Sequence, residues 1–295
     1  VIMENLMGRA FNLSNTMAML SRLIETILTW LLAFTIVPLT FGQQKDFVKL
    51  WDAKILGMDK ISTDGKENVF ITDKQGYLYQ YNAKGESINQ LATSLSAPLT
   101  HLDAFKTVNI FLFSSPLQRF EILDRFLNPI ISKSIAEAGV FGWISQASLG
   151  NNNSLWVYDE SDLNLKKVNL NNNELQQAQA INTIIQDDEL EIILLIERYN
   201  LLFLQVAGEG IYIFDNQANF IEKISLSANN SAIIDGDFIY AIINDQLVKT
   251  NYLTKVSKSI ALPTAKTYNR LALSNQQLIL ANEKGVSVFE RPKNF

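Results

Sequence analysis

Residues 69–88, VFITDKQGYLYQYNAKGESI, alternate apolar and polar positions, break at Lys-Gln-Gly, alternate again and break at Gly85. Alternation with a period of two marks strands, and Gly, Asn and Asp at the breaks mark turns. The same unit recurs at residues 108–130, 154–173, 201–221, 237–254 and 276–289. The central turns fall near Gln75, Pro116, Glu160, Glu209, Asp245 and Glu283. Their spacing of roughly 35–50 residues is that of four-stranded blade repeats.

Each strand pair is preceded by another candidate strand, at residues 59–63, 100–105, 143–149, 191–197, 231–234 and 268–273. Five pairs are followed by a fourth, at 87–95, 130–136, 174–181, 220–226 and 256–262. The last unit lacks its fourth strand, and residues 47–56, FVKLWDAKIL, supply a spare one near the other end. No amphipathic helix of ordinary length follows residue 44. The pattern predicts an all-β, six-bladed β-propeller over residues 43–295, with the N-terminal strand closing the last blade and so removing an exposed sheet edge.

Ahead of it, residues 27–39, ILTWLLAFTIVPL, are too short for a comfortable membrane span of about 20 apolar residues. With Arg22 before them and Pro38 and Gly42 after, residues 1–42 read as a signal peptide cleaved after Gly42. A start at Met17 or Met19 gives it conventional proportions, which makes residues 1–16 an over-extended start. The competing reading is an uncleaved anchor. After cleavage no second apolar run is long enough to span a membrane. The expected location is periplasmic, outer-membrane-associated or extracellular. The Ile/Asn/Lys usage points to a bacterial source.

Composition narrows the chemistry. At 47% hydrophobic and 19% charged residues, the 295-residue chain can bury a large core. A net charge of −5 without a basic cluster argues against nucleic-acid binding. The absence of cysteine excludes disulfides and thiolate catalysis, and a single histidine excludes multi-histidine metal sites. His101 reads as a surface or half-buried strand residue. Trp143, Trp156, Tyr158, Phe126, Tyr199 and Tyr212 read mostly as blade core, and Tyr77, Tyr79 and Tyr81 as packing between blades. The acidic run Asp159-Glu160-Ser161-Asp162 reads as a solvated turn.

Residues 58–95 carry the clearest family likeness. Asp64-Gly65 at the first turn, Val69 to Asp73, Leu78 to Tyr81 and the closing Gly85 resemble an NHL-type repeat, and Ile211 to Asp215 echoes its third strand. The resemblance implies a six-bladed propeller. In metal-centred propellers of this general kind, calcium is held by oxygens from the innermost strands. The corresponding polar residues here are Asp59, Thr100, Glu191, Asn230 and Asn269, which makes a calcium-dependent lactonase or esterase the alternative reading. The preferred expectation has no catalytic residues and no cofactor. It is an exported, non-enzymatic protein-interaction or scaffold module that binds an envelope protein through its loops.

Overall fold

The computed structural model describes residues 47–185, 190–263, 267–292 and 295. Residues 1–42, read from the sequence as a signal peptide, lie outside them. Strand β1 spans Lys49–Lys54. Blade 1 follows with β2 (Met58–Thr63), β3 (Val69–Asp73), β4 (Tyr77–Tyr81) and β5 (Ser87–Ala92). Blade 2 has β6 (His101–Asp103), β7 (Asn109–Ser114), β8 (Arg119–Asp124) and β9 (Pro129–Ser134). Blade 3 has β10 (Ile144–Leu149), β11 (Ser154–Asp159), β12 (Asn164–Asn169) and β13 (Glu174–Ala180). Blade 4 has β14 (Ile192–Arg198), β15 (Leu201–Val206), β16 (Gly210–Asp215) and β17 (Phe220–Ser225). Blade 5 has β18 (Ile233–Asp235), β19 (Phe238–Ile243), β20 (Gln246–Asn251) and β21 (Ser257–Ala261). Blade 6 has β22 (Arg270–Leu273), β23 (Gln277–Asn282) and β24 (Gly285–Glu290), and β1 pairs antiparallel with β24 as its outermost strand. The chain is a six-bladed β-propeller closed by its N-terminal strand.

The middle strands are apolar on both faces because each is covered on both sides. On β7, Phe111 and Phe113 pack toward blade 3, whereas Ile110 and Leu112 pack toward blade 1. On β23, Ile279 and Ala281 face blade 1, whereas Leu278 and Leu280 face blade 5. Period-two alternation therefore sorts side chains between two neighbouring blades rather than between core and water. Tyr79 and Tyr81 pack against the cluster between blades 6 and 1, as the sequence predicts, but Tyr77 is exposed.

A common turn organises many of the hairpins. In Asp64–Asn68, Asp124–Asn128 and Asp215–Asn219, one carboxylate oxygen of the first residue accepts the amides two and four residues on. The other accepts the Asn side chain at 2.8–2.9 Å. Asp73 and Asn82 make the same pair of amide bonds. The fourth residue is left-handed in all five: Glu67, Leu127, Ala218, Gly76 and Gly85. Side-chain acceptors stand in for backbone acceptors, so the turn tolerates residues other than glycine.

Candidate functional site

The strand ends define two faces. The entry face carries the connections that lead into each innermost strand, together with the turns between second and third strands. The exit face carries the turns that leave the innermost strands. The six innermost strands, β2, β6, β10, β14, β18 and β22, surround a cavity of about 410 Å³.

Thr100, Glu191, Asn230 and Asn269 line this cavity, as the sequence predicts. Asp59 does not. Its carboxylate accepts the Leu99 backbone amide at 2.7 Å, and it is Lys60 that lines the cavity. β2 is irregular at this point, with a register shift against β3 between Met58 and Ile61. The predicted ligand set thereby loses one of its two carboxylates. Among the described residues, no three His, Asp or Glu side chains group closely enough to hold a metal. Lys60 and Arg270 face the same space and oppose a divalent cation. The residues present do not fit a calcium ion.

His101 departs from its sequence reading, being buried at 7% exposure on the channel wall. Burial pushes its imidazole down to about 4. The Asp103 carboxylate works against this, and the Arg198 and Lys60 charges reinforce it. Its Nε2 atom is buried with no hydrogen-bond partner. The unfolded chain, with an ordinary imidazole near 6.5, binds more protons than the folded one between these values. Stability from this residue is therefore complete above about pH 6.5 and lost as pH falls to about 4, by roughly 3 kcal/mol. His101→Gln is expected to flatten the pH dependence of urea unfolding in that window. An unchanged slope would show that His101 is not its source.

Toward the exit face, Arg198 at the end of β14 reaches Asp103 at the end of β6. Its Nη2 donates to Oδ1 at 2.6 Å and its Nη1 to Oδ2 at 3.0 Å. Both side chains are buried. These strands belong to blades 4 and 2, so the pair spans the inside of the ring past blade 3. The Phe105 ring lies 4.2 Å from the guanidinium and meets Tyr199 edge-on. Tyr199 in turn accepts the Gly236 amide, and Arg291 donates to Asp235 at 2.6 Å. Burial tends to raise the Asp103 carboxyl, but the Arg198 charge and hydrogen bonds outweigh it and hold Asp103 below the ordinary carboxylate range.

The entry face carries a second feature. Phe141 is 81% exposed and Trp143 50% exposed, in the connection from blade 2 to blade 3. Exposed Leu117 and Leu163 stand in the flanking β7–β8 and β11–β12 turns. The connection is fixed to both turns. The Trp143 amide donates to Ser161 Oγ at 2.8 Å, and the Ile144 amide to Gln118 Oε1 at 3.0 Å. Between the two aromatics, a Cβ on Gly142 would sit 2.0 Å from an Asp159 carboxylate oxygen. Asp159, the last residue of β11, is itself buried and paired with Lys166 at 2.6 Å, whereas Glu160, Ser161 and Asp162 form the exposed turn that the sequence predicts. Trp156, Tyr158 and Tyr212 are buried as expected, whereas Trp143, Phe126 and Tyr199 are exposed. Glycine between two aromatics in a long connection is the signal that would have found the patch.

No protein-family model matches the chain, and no curated protein matches it in sequence. Solved structures resemble it in fold. The Pan2 WD40 domain of Neurospora crassa superposes with a TM-score of 0.58 at 10% identity, over 85% of this chain and 97% of that one. Virginiamycin B lyase from Staphylococcus aureus gives 0.58 at 9% identity, over 82% and 99%. A streptogramin B lyase gives 0.54 at 12% identity, over 82% and 86%. At these identities the likeness is one of fold. The fold serves lyases and a WD40 domain alike, so function has to be argued from the sites themselves.

Proposed function

We propose that this propeller is an exported, non-enzymatic interaction module of the bacterial cell envelope, which binds a protein partner through its entry face. The observation that carries this reading is the pair Phe141 and Trp143, exposed in water yet held on a braced connection between Leu117 and Leu163. Large aromatics held rigidly in contact with solvent lose little conformational entropy on binding and are the usual anchors of protein interfaces. Export is the companion reading, supported by the short apolar segment at residues 27–39.

A photo-crosslinking residue placed at Leu117 in living cells is expected to give one discrete adduct with an envelope protein. The adduct is expected to disappear in the Phe141→Ser/Trp143→Ser variant, whose melting temperature should be unchanged because neither side chain is part of a blade core. Absence of a discrete adduct, or its persistence in the variant, would overturn the assignment. Export is checked by the N-terminus of the envelope-fraction protein. Mass spectrometry should place it near Gln43, and a terminus upstream of Ile27 would exclude cleavage.

A further inference from the structure

Three basic side chains stand on three successive innermost strands: Arg270 on β22, Lys60 on β2 and His101 on β6. All three line the central cavity, where Lys60 feels the Arg270 charge and His101 feels the Lys60 charge. Other cations of the ring are matched, Arg198 by Asp103 and Arg291 by Asp235. Lys60 and Arg270 are not matched in this way. Among the described residues, the Lys60 ammonium has no carboxylate nearer than Asp59 at 3.9 Å, and Arg270 donates only to the neutral Asn269 side chain, at 3.0 Å. His101 stands in the same wall, and its Nε2 atom is covered by protein and has no hydrogen-bond partner, so the imidazole is a neighbour of the two cations rather than a third group open to the cavity.

The lining also includes the apolar residues Ile61, Ile193, Ile233 and Leu271. The cavity, at about 410 Å³, falls in the range of about 300–1,000 Å³ usual for small-molecule sites. An apolar hollow with a few convergent polar groups suits a ligand with an apolar body and one charged end. Glu191 and Asp103 face the same space and disfavour a second negative charge.

We propose that the central cavity binds a small amphiphilic monocarboxylate, its carboxylate held between Lys60 and Arg270 beside His101 and its apolar body directed along the isoleucine-lined wall. This site is separate from the Phe141–Trp143 surface and holds whether or not that surface binds a partner.

The chain has one histidine, so the imidazole ring protons report on the site by NMR without further assignment. Titration of the intact protein with hexanoate at neutral pH is expected to shift these resonances saturably. Hexanol, of the same length but uncharged, should bind about tenfold or more weakly. Lys60→Met and Arg270→Gln should each weaken hexanoate by about tenfold or more, the scale of a lost hydrogen bond to a charged group. Absence of a saturable shift with hexanoate would overturn the proposal. So would equal binding of hexanol, since a merely apolar hollow would then suffice. Tighter binding of inorganic phosphate than of hexanoate would overturn the monocarboxylate assignment. The ligand comparison uses the unmodified protein, so it decides the matter even if a variant folds poorly.

Discussion

Arg198→Met is expected to destabilise the propeller by about 3–5 kcal/mol, more than any other single substitution considered. The pair it breaks is buried on both sides and doubly hydrogen-bonded. Removing the guanidinium leaves Asp103 with the Phe105 amide, at 3.1 Å, as its remaining described partner. A buried carboxylate without its counter-charge carries an uncompensated desolvation penalty of this order. The pH dependence follows in sign. In the native protein the Asp103 carboxyl is held below its ordinary value. Its contribution is full above the unfolded carboxylate range and is lost as pH falls through the folded value. In the variant burial, no longer outweighed by the guanidinium and opposed only by the Phe105 amide and the His101 charge, pushes the carboxyl upward, so the deficit should shrink as pH falls toward that range. Urea unfolding at neutral and mildly acid pH measures both effects. A double variant, Asp103→Leu/Arg198→Met, should recover much of the loss, because a shape-matched apolar pair removes the buried charge altogether. A deficit in Arg198→Met below about 1 kcal/mol would show that the pair is solvated.

Removing β1, by starting the chain at Leu56, is expected to abolish monomeric, cooperative folding. Nine described residues leave, 47–55, and two separate attachments go with them. One is the ladder to β24, running from Trp51 opposite Val288 to Lys54 opposite Gly285. The other runs across to blade 1, where Trp51 packs against Tyr81 and its indole donates to the Ala83 carbonyl at 3.1 Å. Gly285 and Gly85 are both pressed so closely by β1 that a Cβ on either would collide with it. Without β1, β24 presents an unpaired edge and the ring loses a tie between its last and first blades. The loss should be comparable with the ~5–15 kcal/mol that holds a domain together. Light scattering after size-exclusion chromatography should report oligomers. A peptide of residues 47–55 added in trans should restore the monomer. A truncated chain that stays monomeric and melts within a few degrees of the intact one would refute this account of closure.

The architecture was legible because it is written locally. Strand pairs sit within about twenty residues of each other, and the Asp and Asn residues that open the turns act on amides two and four positions on. The repeat looks faint at the level of residue identity because the left-handed fourth position accepts Glu67, Leu127 or Ala218 as well as glycine. The site was less legible because it depends on which side of an innermost strand faces the axis. Met58 to Ile61 contains a register shift against β3, and the step from Asp59 to Lys60 turns an expected ligand into an expected competitor of cations. His101 offered no local signal of burial, since the Lys60 and Arg198 charges near it come from blades 1 and 4. Trp143 reads as core by residue type. It is exposed because Gly142 lets the chain pass close over Asp159, a packing relation between segments sixteen or more residues apart.

The closure by β1 also sets an order of events. During vectorial synthesis the hairpins of blades 1 to 5 emerge in turn, and each has its partners within a short stretch of chain. Strand β1 emerges before all of them, and its partner β24 emerges after them. This pairing has a sequence separation near the maximum available to the chain, and contacts of such high order form late. Until β24 is complete, β1 is a strand without a mate in its own molecule. In a crowded compartment it could pair with the open β24 edge of a neighbouring copy, and intermolecular exchange of β1 is therefore the misassembly to which this ring is most exposed.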